Sequence, residues 1–353
     1  MQQWRKYVSR LVAAGLFAGA VGWSAAAVSE TVLTFNRWTP ATHHFHSRIY
    51  QPWAERVEHA TEGRVKIRFT PASLGAPPRQ FDLARTGVAD LTSNNQAYTV
   101  EIFPLAMFAE LPFVANSAES LSVANWRATQ ALMAEHDEYK DVKLLGVFSN
   151  GPAMVFTRKK PIRTIDDIQG LRTRTSDGIP SKIAARLGAI PITAPVTEAY
   201  QMLSKGIIDS VILPPDSIYS FKMDQYLDYM TRIPKGLYSS TFFLVMNKAK
   251  WDALSQEDQE GIMSVSGENL AIEAGKVWDD QDRIAIEAFE ERGMQIADPD
   301  PALITAIEAK LAPITEEWLQ VAQSKGVDGQ ALLDEVQRHI KEYESEKKGA
   351  SDE

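Results

Sequence analysis

The chain contains no cysteine among its 353 residues. Disulfide staples, thiolate nucleophiles and thiolate metal sites are therefore excluded. Stability must come from packing, which a chain of this length can supply. Positive charge is also short: the formal net charge is −9, a poor match for a nucleic-acid partner. Glycine-rich phosphate motifs of the G-x-G-x-x-G or P-loop kind do not occur, and neither does a G-x-S-x-G hydrolase elbow. No internal repeat is visible, and no heptad run is long enough for a coiled coil. Histidines are few. Three of them cluster as His43, His44 and His46, yet the first two are sequence neighbours expected to diverge, and no carboxylate stands at a metal-ligand spacing such as H-E-x-x-H. Neither a metal, nor a cofactor, nor a catalytic group is expected.

Only one apolar run stands out. Arg5, Lys6 and Arg10 precede Leu11–Trp23, and Ala25, Ala26 and Ala27 follow. A basic start, a short apolar middle and a small-residue end describe a secretory signal peptide, residues 1–27. The run is too short to span a bilayer comfortably. The expected product is an exported chain not inserted in the membrane, and three charges more negative than the whole. So acidic a protein repels anions at long range, and an anionic ligand would need a locally positive pocket.

The remaining length is more than one core normally supports, so two lobes are expected. Strand-like runs occur at Thr31–Trp38, Val65–Phe69, Val88–Thr92, Val142–Phe148 and Thr241–Met246, with helical periodicity at Phe45–Ala60 and Glu119–Tyr139. The alternation of strand, helix and glycine predicts α/β architecture with parallel strands. Asn150-Gly151-Pro152 marks a crossing between lobes, and Thr241–Met246 a return strand. The division is taken as 28–151 plus 240–279 for the first lobe and 152–239 plus 280–353 for the second. Ser255-x-x-Asp258 reads as a helix start. No proline follows until beyond Glu291, and one continuous helix over that stretch would reach on the order of 50 Å, enough to lie across both lobes.

The richest segment runs from Asp167 to Pro214. Arg174 sits there in an apolar, strand-like setting. A buried guanidinium needs a partner, usually a carboxylate. Two readings stand: an anionic ligand from outside, or a domestic acid such as Asp177 or Asp209. Residues 175–178 can cap the helix that follows, and a helix N-terminus beside a fixed arginine favours anions. Arg172 is expected to be solvated.

Several pieces in order resemble the periplasmic solute-binding subunits of tripartite ATP-independent periplasmic (TRAP) transporters. They are Leu74-Gly75, Gly87–Asp90, Glu110–Phe113, Asp167-Ile168 with Gly170-Leu171-Arg172 and Arg174, Leu187–Ala189, Glu198 with Tyr200, Gly206 with Asp209, Met246–Lys248, and Trp251 with Leu254. The resemblance implies a two-lobe periplasmic binding protein, type II-like, with crossing strands and a long helix. It implies a carboxylate ligand paired with Arg174 in the interlobe cleft, delivered unaltered to membrane permease subunits. An exported sensor of a carboxylate or zwitterionic solute is the alternative, since it would have the same pocket.

The chain departs from the sugar-acid-binding pattern at Met154 and Leu213, which are apolar where an arginine and an asparagine are common in the family, and at Val196, where an aromatic residue is common. A compact acid with an apolar or aromatic body is therefore expected. Loops at strand C-termini add candidates: Trp38, Ser73, Asn94 and Asn95 from the first lobe, and Asp177 after the strand of Arg174. Tyr98, Tyr219, Phe242 and Phe243 are aromatic candidates, Phe242 foremost.

Overall fold

The computed structural model describes residues 30–351, so the expected signal peptide lies outside the described residues. Two sheets organise the chain. β1 (Thr31–Asn36) leads through a π-type turn at Phe45–Tyr50 into α1 (Gln51–Ala60), then β2 (Val65–Phe69), α2 (Gln80–Arg85) and β3 (Leu91–Asn95). α3 (Ala118–Met133) and β4 (Val142–Ser149) complete the first half. The second sheet contains β5 (Met154–Thr157), β6 (Arg172–Thr175), β7 (Ile190–Thr193), β8 (Ser210–Leu213) and β9 (Tyr229–Thr231). α4 (Ile179–Leu187), α5 (Val196–Ser204) and α6 (Pro215–Ser220) connect them. β10 (Thr241–Asn247) returns to the first sheet and is followed by α7 (Lys248–Asp252), α8 (Gln256–Ser264) and α9 (Gly267–Arg292). β11 (Gln295–Ala297), α10 (Pro301–Ser324) and α11 (Gly329–Ser351) end the chain.

The first sheet has the order β2-β1-β3-β10-β4 and the second β11-β9-β5-β8-β6-β7. β1 is parallel to β2 and β3, whereas β10 runs antiparallel to β3 and β4. In the second sheet, β6 is parallel to β7 and β8. The strands are short because both faces are covered, and their burial is nearly continuous in β3, β8 and β10. The return strand is as expected. The third strand is displaced towards its C-terminus, because residues 87–90 form the turn that delivers it.

Two segments cross between the sheets and hydrogen-bond to each other. Asn150 N donates to Ser240 O at 3.0 Å, Ala153 N to Tyr238 O at 2.8 Å, and Leu237 N to Ala153 O at 2.9 Å. The third connection is α9, which packs on α3 and β4 on one side and on α6 on the other. It is shorter than the sequence suggested. Ser255 does cap a helix, accepting Asp258 N at 3.1 Å, but that helix is α8. An extended Ser266 and a Gly267 at φ +58° interrupt the run. Few residues other than glycine adopt that backbone conformation cheaply. α9 alone still reaches about 39 Å. The final helix was grouped with the second lobe; α11 packs against α3, while α10 packs against α4.

Gly151 lets the crossing segment touch α9. A Cβ there would stand 1.8 Å from Asp282 Oδ2. Gly151→Ala is therefore expected to destabilise the protein by about 1–3 kcal/mol through overpacking. Urea unfolding of the two proteins, read at unchanged m-value, would measure this; equal midpoints would show that the contact can relax.

Candidate functional site

Between the two sheets lies a pocket lined by residues from both. Arg174 forms its polar end. The residue lies on β6, opposite Ile192 of β7, and is 1% exposed. Its Nε and Nη2 donate to Ala194 O at 2.9 and 2.6 Å, and Nη2 also reaches Tyr98 Oη at 3.4 Å. These partners are neutral. The domestic acids are unavailable: Asp177 is exposed, and Asp209 accepts Arg172 Nε and Nη2 at 2.8 Å each. Arg172 is half-exposed, as expected from sequence, and is paired with Asp209. Thr173 pairs with Ser210 in the β6–β8 register, which sets residues 172 and 209 side by side.

Tyr98 ties the two lobes. It follows β3 in the first lobe, and its hydroxyl accepts Val196 N of α5 at 3.0 Å as well as Arg174 Nη2. Asn95 and Asn150 add amides to the wall. Each has its oxygen occupied by a backbone N–H, Ala97 N at 2.7 Å and Ser240 N at 2.6 Å. The geometry therefore turns both Nδ2 groups into the donors that remain. Ser176, Ser217 and Ser240 supply hydroxyls.

The other end is aromatic. Phe242 and Trp278 stack at 5.7 Å and 22°, and Phe45 stands edge-on to Trp278 at 4.8 Å. Trp38 meets Phe45 at 5.9 Å, and His43 faces Phe221 at 5.0 Å. Val196 and Leu213 complete the apolar wall. No Asp or Glu lines this pocket.

Of the sequence-derived candidates, Arg174, Asn95, Trp38, Leu213 and Phe242 meet in the pocket. Four do not. Asn94 and Asn95 point to opposite faces of β3, as strand alternation requires; Asn94 is buried and donates to Pro77 O. Ser73 is exposed and closes its own turn by donating to Gly75 O at 2.6 Å. Met154 lies in register with Leu213, but its sulfur accepts Ile233 N at 3.1 Å and its side chain lines a separate groove with Met230 and Ile286. Asp177 faces solvent, and Ser176 takes the pocket side. Asp177 does not cap α4 either; Gly178 is the N-cap and makes no side-chain bond. Tyr98 joins the pocket, whereas Phe243 packs into the core and Tyr219 is exposed.

Sequence reading missed Trp278, 104 positions from Arg174, and the role of the histidines. His43 and His44 do not diverge: their rings lie 4.4 Å apart at 32°. His43 lines the pocket, and burial lowers its pKa to about 4. His44 Nε2 lies 3.5 Å from Asp216 Oδ2. The distance would suit an ion pair, but burial holds His44 well below the usual imidazole range and Asp216 well above the carboxylate range. Burial thus favours the neutral form of each partner. Asp216 N donates to Asp282 Oδ1 at 2.8 Å, and burial raises Asp282 to about 8. This buried cluster joins the loop after β1, α6, α9 and Gly151 behind the pocket.

A family model for bacterial extracellular solute-binding protein family 7, DctP, matches residues 35–321. The outer membrane transporter protein TsaT of Comamonas testosteroni is 33% identical over 81% of this chain and 85% of its own length. A TRAP periplasmic solute-binding protein from Bordetella bronchiseptica, solved with (R)- and (S)-mandelate, superimposes with a TM-score of 0.85. It shares 37% identity and covers 89% of this chain and 99% of that one. A marine metagenome TRAP solute-binding protein specific for aromatic acids, solved with 3-hydroxybenzoate, gives 0.84 at 31% identity, over 89% and 99% of the two chains.

The cluster behind the pocket makes stability depend on pH. Asp282 holds a proton in the native state between its usual 3.8 and about 8, where the unfolded chain has lost it, so stability falls as pH rises through that window. His43 acts oppositely, but only between about 4 and 6.5. From pH 6.5 to 8 the carboxyl effect is left, reinforced by Asp216, which burial raises well above the usual range, and up to about pH 7 by Glu110, which burial raises to about 7. Unfolding free energy should drop there on the order of 1 kcal/mol per pH unit. Asp282→Asn should flatten the slope; an unchanged slope would place the proton elsewhere.

Proposed function

The chain belongs to the DctP family of bacterial extracellular solute-binding proteins, and from that premise we propose that it captures a small aromatic monocarboxylate between its lobes. The observation that carries this reading is Arg174: a guanidinium 1% exposed, bonded to neutral groups, at one end of an aromatic pocket. A buried cation of this kind is completed by an anion that arrives desolvated and bidentate. The ring of the ligand would lie against Phe242, Trp278 and Trp38, with Leu213 and Val196 closing the wall. Asn95 Nδ2 is placed to donate to the ligand from the first lobe.

The apolar wall selects against sugar acids. Each hydroxyl left unpaired against Leu213 or Val196 would cost about 1–3 kcal/mol. A zwitterion is disfavoured for a separate reason: its cation would meet unpaired N–H donors and no carboxylate. The relatives solved with mandelate and 3-hydroxybenzoate point to the same ligand class.

Tyr98 gives closure a physical basis. Its hydroxyl bonds to the second lobe at Arg174 and Val196, so an anion fixed at Arg174 favours the arrangement in which the lobes meet. We further propose that the closed protein releases its ligand, chemically unaltered, to the membrane subunits of a TRAP transporter. In this reading the protein is periplasmic and acts as a receptor, not an enzyme. None of the described helices is long and apolar enough to cross a membrane.

A thermal-shift screen of benzoate, mandelate, 3-hydroxybenzoate, a sugar acid and a betaine tests the class. An aromatic acid at a hundredfold excess over Kd should add about 2.7 kcal/mol of stability. Response to the sugar acid or betaine alone would overturn the aromatic reading. Arg174→Ala should weaken the best ligand by far more than tenfold, which is about 1.4 kcal/mol, while remaining folded by circular dichroism. A loss smaller than tenfold would remove Arg174 as the anchor.

A further inference from the structure

His43 is the one histidine that lines the pocket. It is 6% exposed. Its ring position is fixed by contacts with His44, Phe45 and Phe221 at 4.4, 5.0 and 5.0 Å. Its tautomer is fixed as well. Phe45 N donates to His43 Nδ1 at 3.2 Å, so Nδ1 is the acceptor. A neutral ring with Nδ1 as acceptor carries its proton on Nε2. Burial keeps the ring neutral near pH 7. Yet Nε2 is buried and has no partner among the described residues. The indole nitrogens of Trp38 and Trp278, which line the same pocket, are also buried and unpartnered. Buried N–H groups in folded proteins are nearly always paired. Three unmet donors in one wall mark the place of an acceptor that the polypeptide does not provide.

That acceptor is distinct from the carboxylate at Arg174. Arg174 bonds to Ala194 and Tyr98. His43 belongs instead to the ring cluster of His44, Phe45 and Phe221, in which Tyr98 makes no ring contact. We propose that His43 is a specificity-determining residue: its Nε2–H donates to a second oxygen, hydroxyl or oxo, carried on the aromatic body of the ligand. The receptor thus distinguishes oxygenated aromatic acids from their unsubstituted parents. A site built to pair a polar atom rejects an analogue lacking it more sharply than an apolar wall rejects an extra group. This assignment rests on the aromatic-acid reading above and adds the oxygen to it.

The test uses matched pairs, mandelate against phenylacetate and 3-hydroxybenzoate against benzoate, titrated calorimetrically into the signal-cleaved chain. The wild type should favour the better oxygenated acid over its parent by at least about tenfold. His43→Phe keeps a ring but removes the donor, and it should bring that ratio close to one. His43→Gln, which restores an N–H at similar reach, should recover part of the preference. A ratio that survives His43→Phe would overturn the assignment. So would an equal loss for both members of a pair, which would place His43 on the carboxylate. If no aromatic acid binds the wild type, the aromatic-acid reading itself falls, a result separable from the other two. A readout independent of mutation is the ¹H–¹⁵N signal of His43 Nε2–H in the wild type. It should shift on adding the oxygenated acid and stay in place with its parent; equal shifts would count against the proposal.

Discussion

A guanidinium removed from water and denied a protein carboxylate is the constraint around which this structure is arranged. Arg174 could have been quenched locally. Asp209 immediately precedes the neighbouring strand β8, but the β6–β8 register gives it to Arg172. Asp177 is turned outward. What remains are a carbonyl and a phenol, which orient the cation without cancelling its charge. Desolvating a charge is expensive unless it is paired and hydrogen-bonded. The cost is bearable when a ligand anion completes the pair. The net negative charge of the chain strengthens the point. It offers anions no long-range attraction, so recognition must be local and made at short range.

Holding such a site between two lobes requires a boundary that is dry yet able to rearrange. The crossing segments hydrogen-bond to each other around Asn150 and Ser240, which keeps their polar backbone satisfied at the hinge. Behind them, α9 approaches so closely that only a glycine fits at position 151. Burial favours the neutral forms of Asp282, Asp216 and His44 there, so the crossing gains polar contacts with little buried net charge.

Much of this was legible in the sequence, and the failures have identifiable physical causes. The α/β alternation, the crossing at Asn150–Pro152, the return strand at Thr241 and the burial of Arg174 follow from periodicity and from an arginine embedded in apolar surroundings. Strand alternation separates Asn94 from Asn95, but which of the two faces the pocket depends on which side of the sheet the second lobe covers. Asp177 occupies the right loop and the wrong face, whereas no residue of the loop that holds Ser73 lines the pocket. The long helix was overestimated because Ser266-Gly267 breaks it through backbone conformation, without a proline to announce the break. Trp278 was invisible for another reason: its place in the pocket arises from the path of α9 across both lobes, a property of packing and not of any local pattern.

The pocket wall separates two kinds of selectivity that a static list of lining residues would merge. In the proposed reading, Leu213, Val196, Phe242 and Trp278 decide which bodies enter, by volume and by refusing to pair hydroxyl groups at their positions. The unpaired N–H groups, in the same reading, decide what the admitted body must carry. Asn95 and Asn150 have their oxygens occupied by backbone donors, His43 has its acceptor nitrogen occupied by Phe45, and indoles have only a donor to give. Excluding the hydroxyl groups, every fixed polar group in the wall thus points the same way, outward as a donor. A cationic substituent meets no favourable charge there, and a purely hydrocarbon ring leaves the donors unmet. An anion with its charge at Arg174 and a further oxygen on an aromatic frame satisfies both requirements at once.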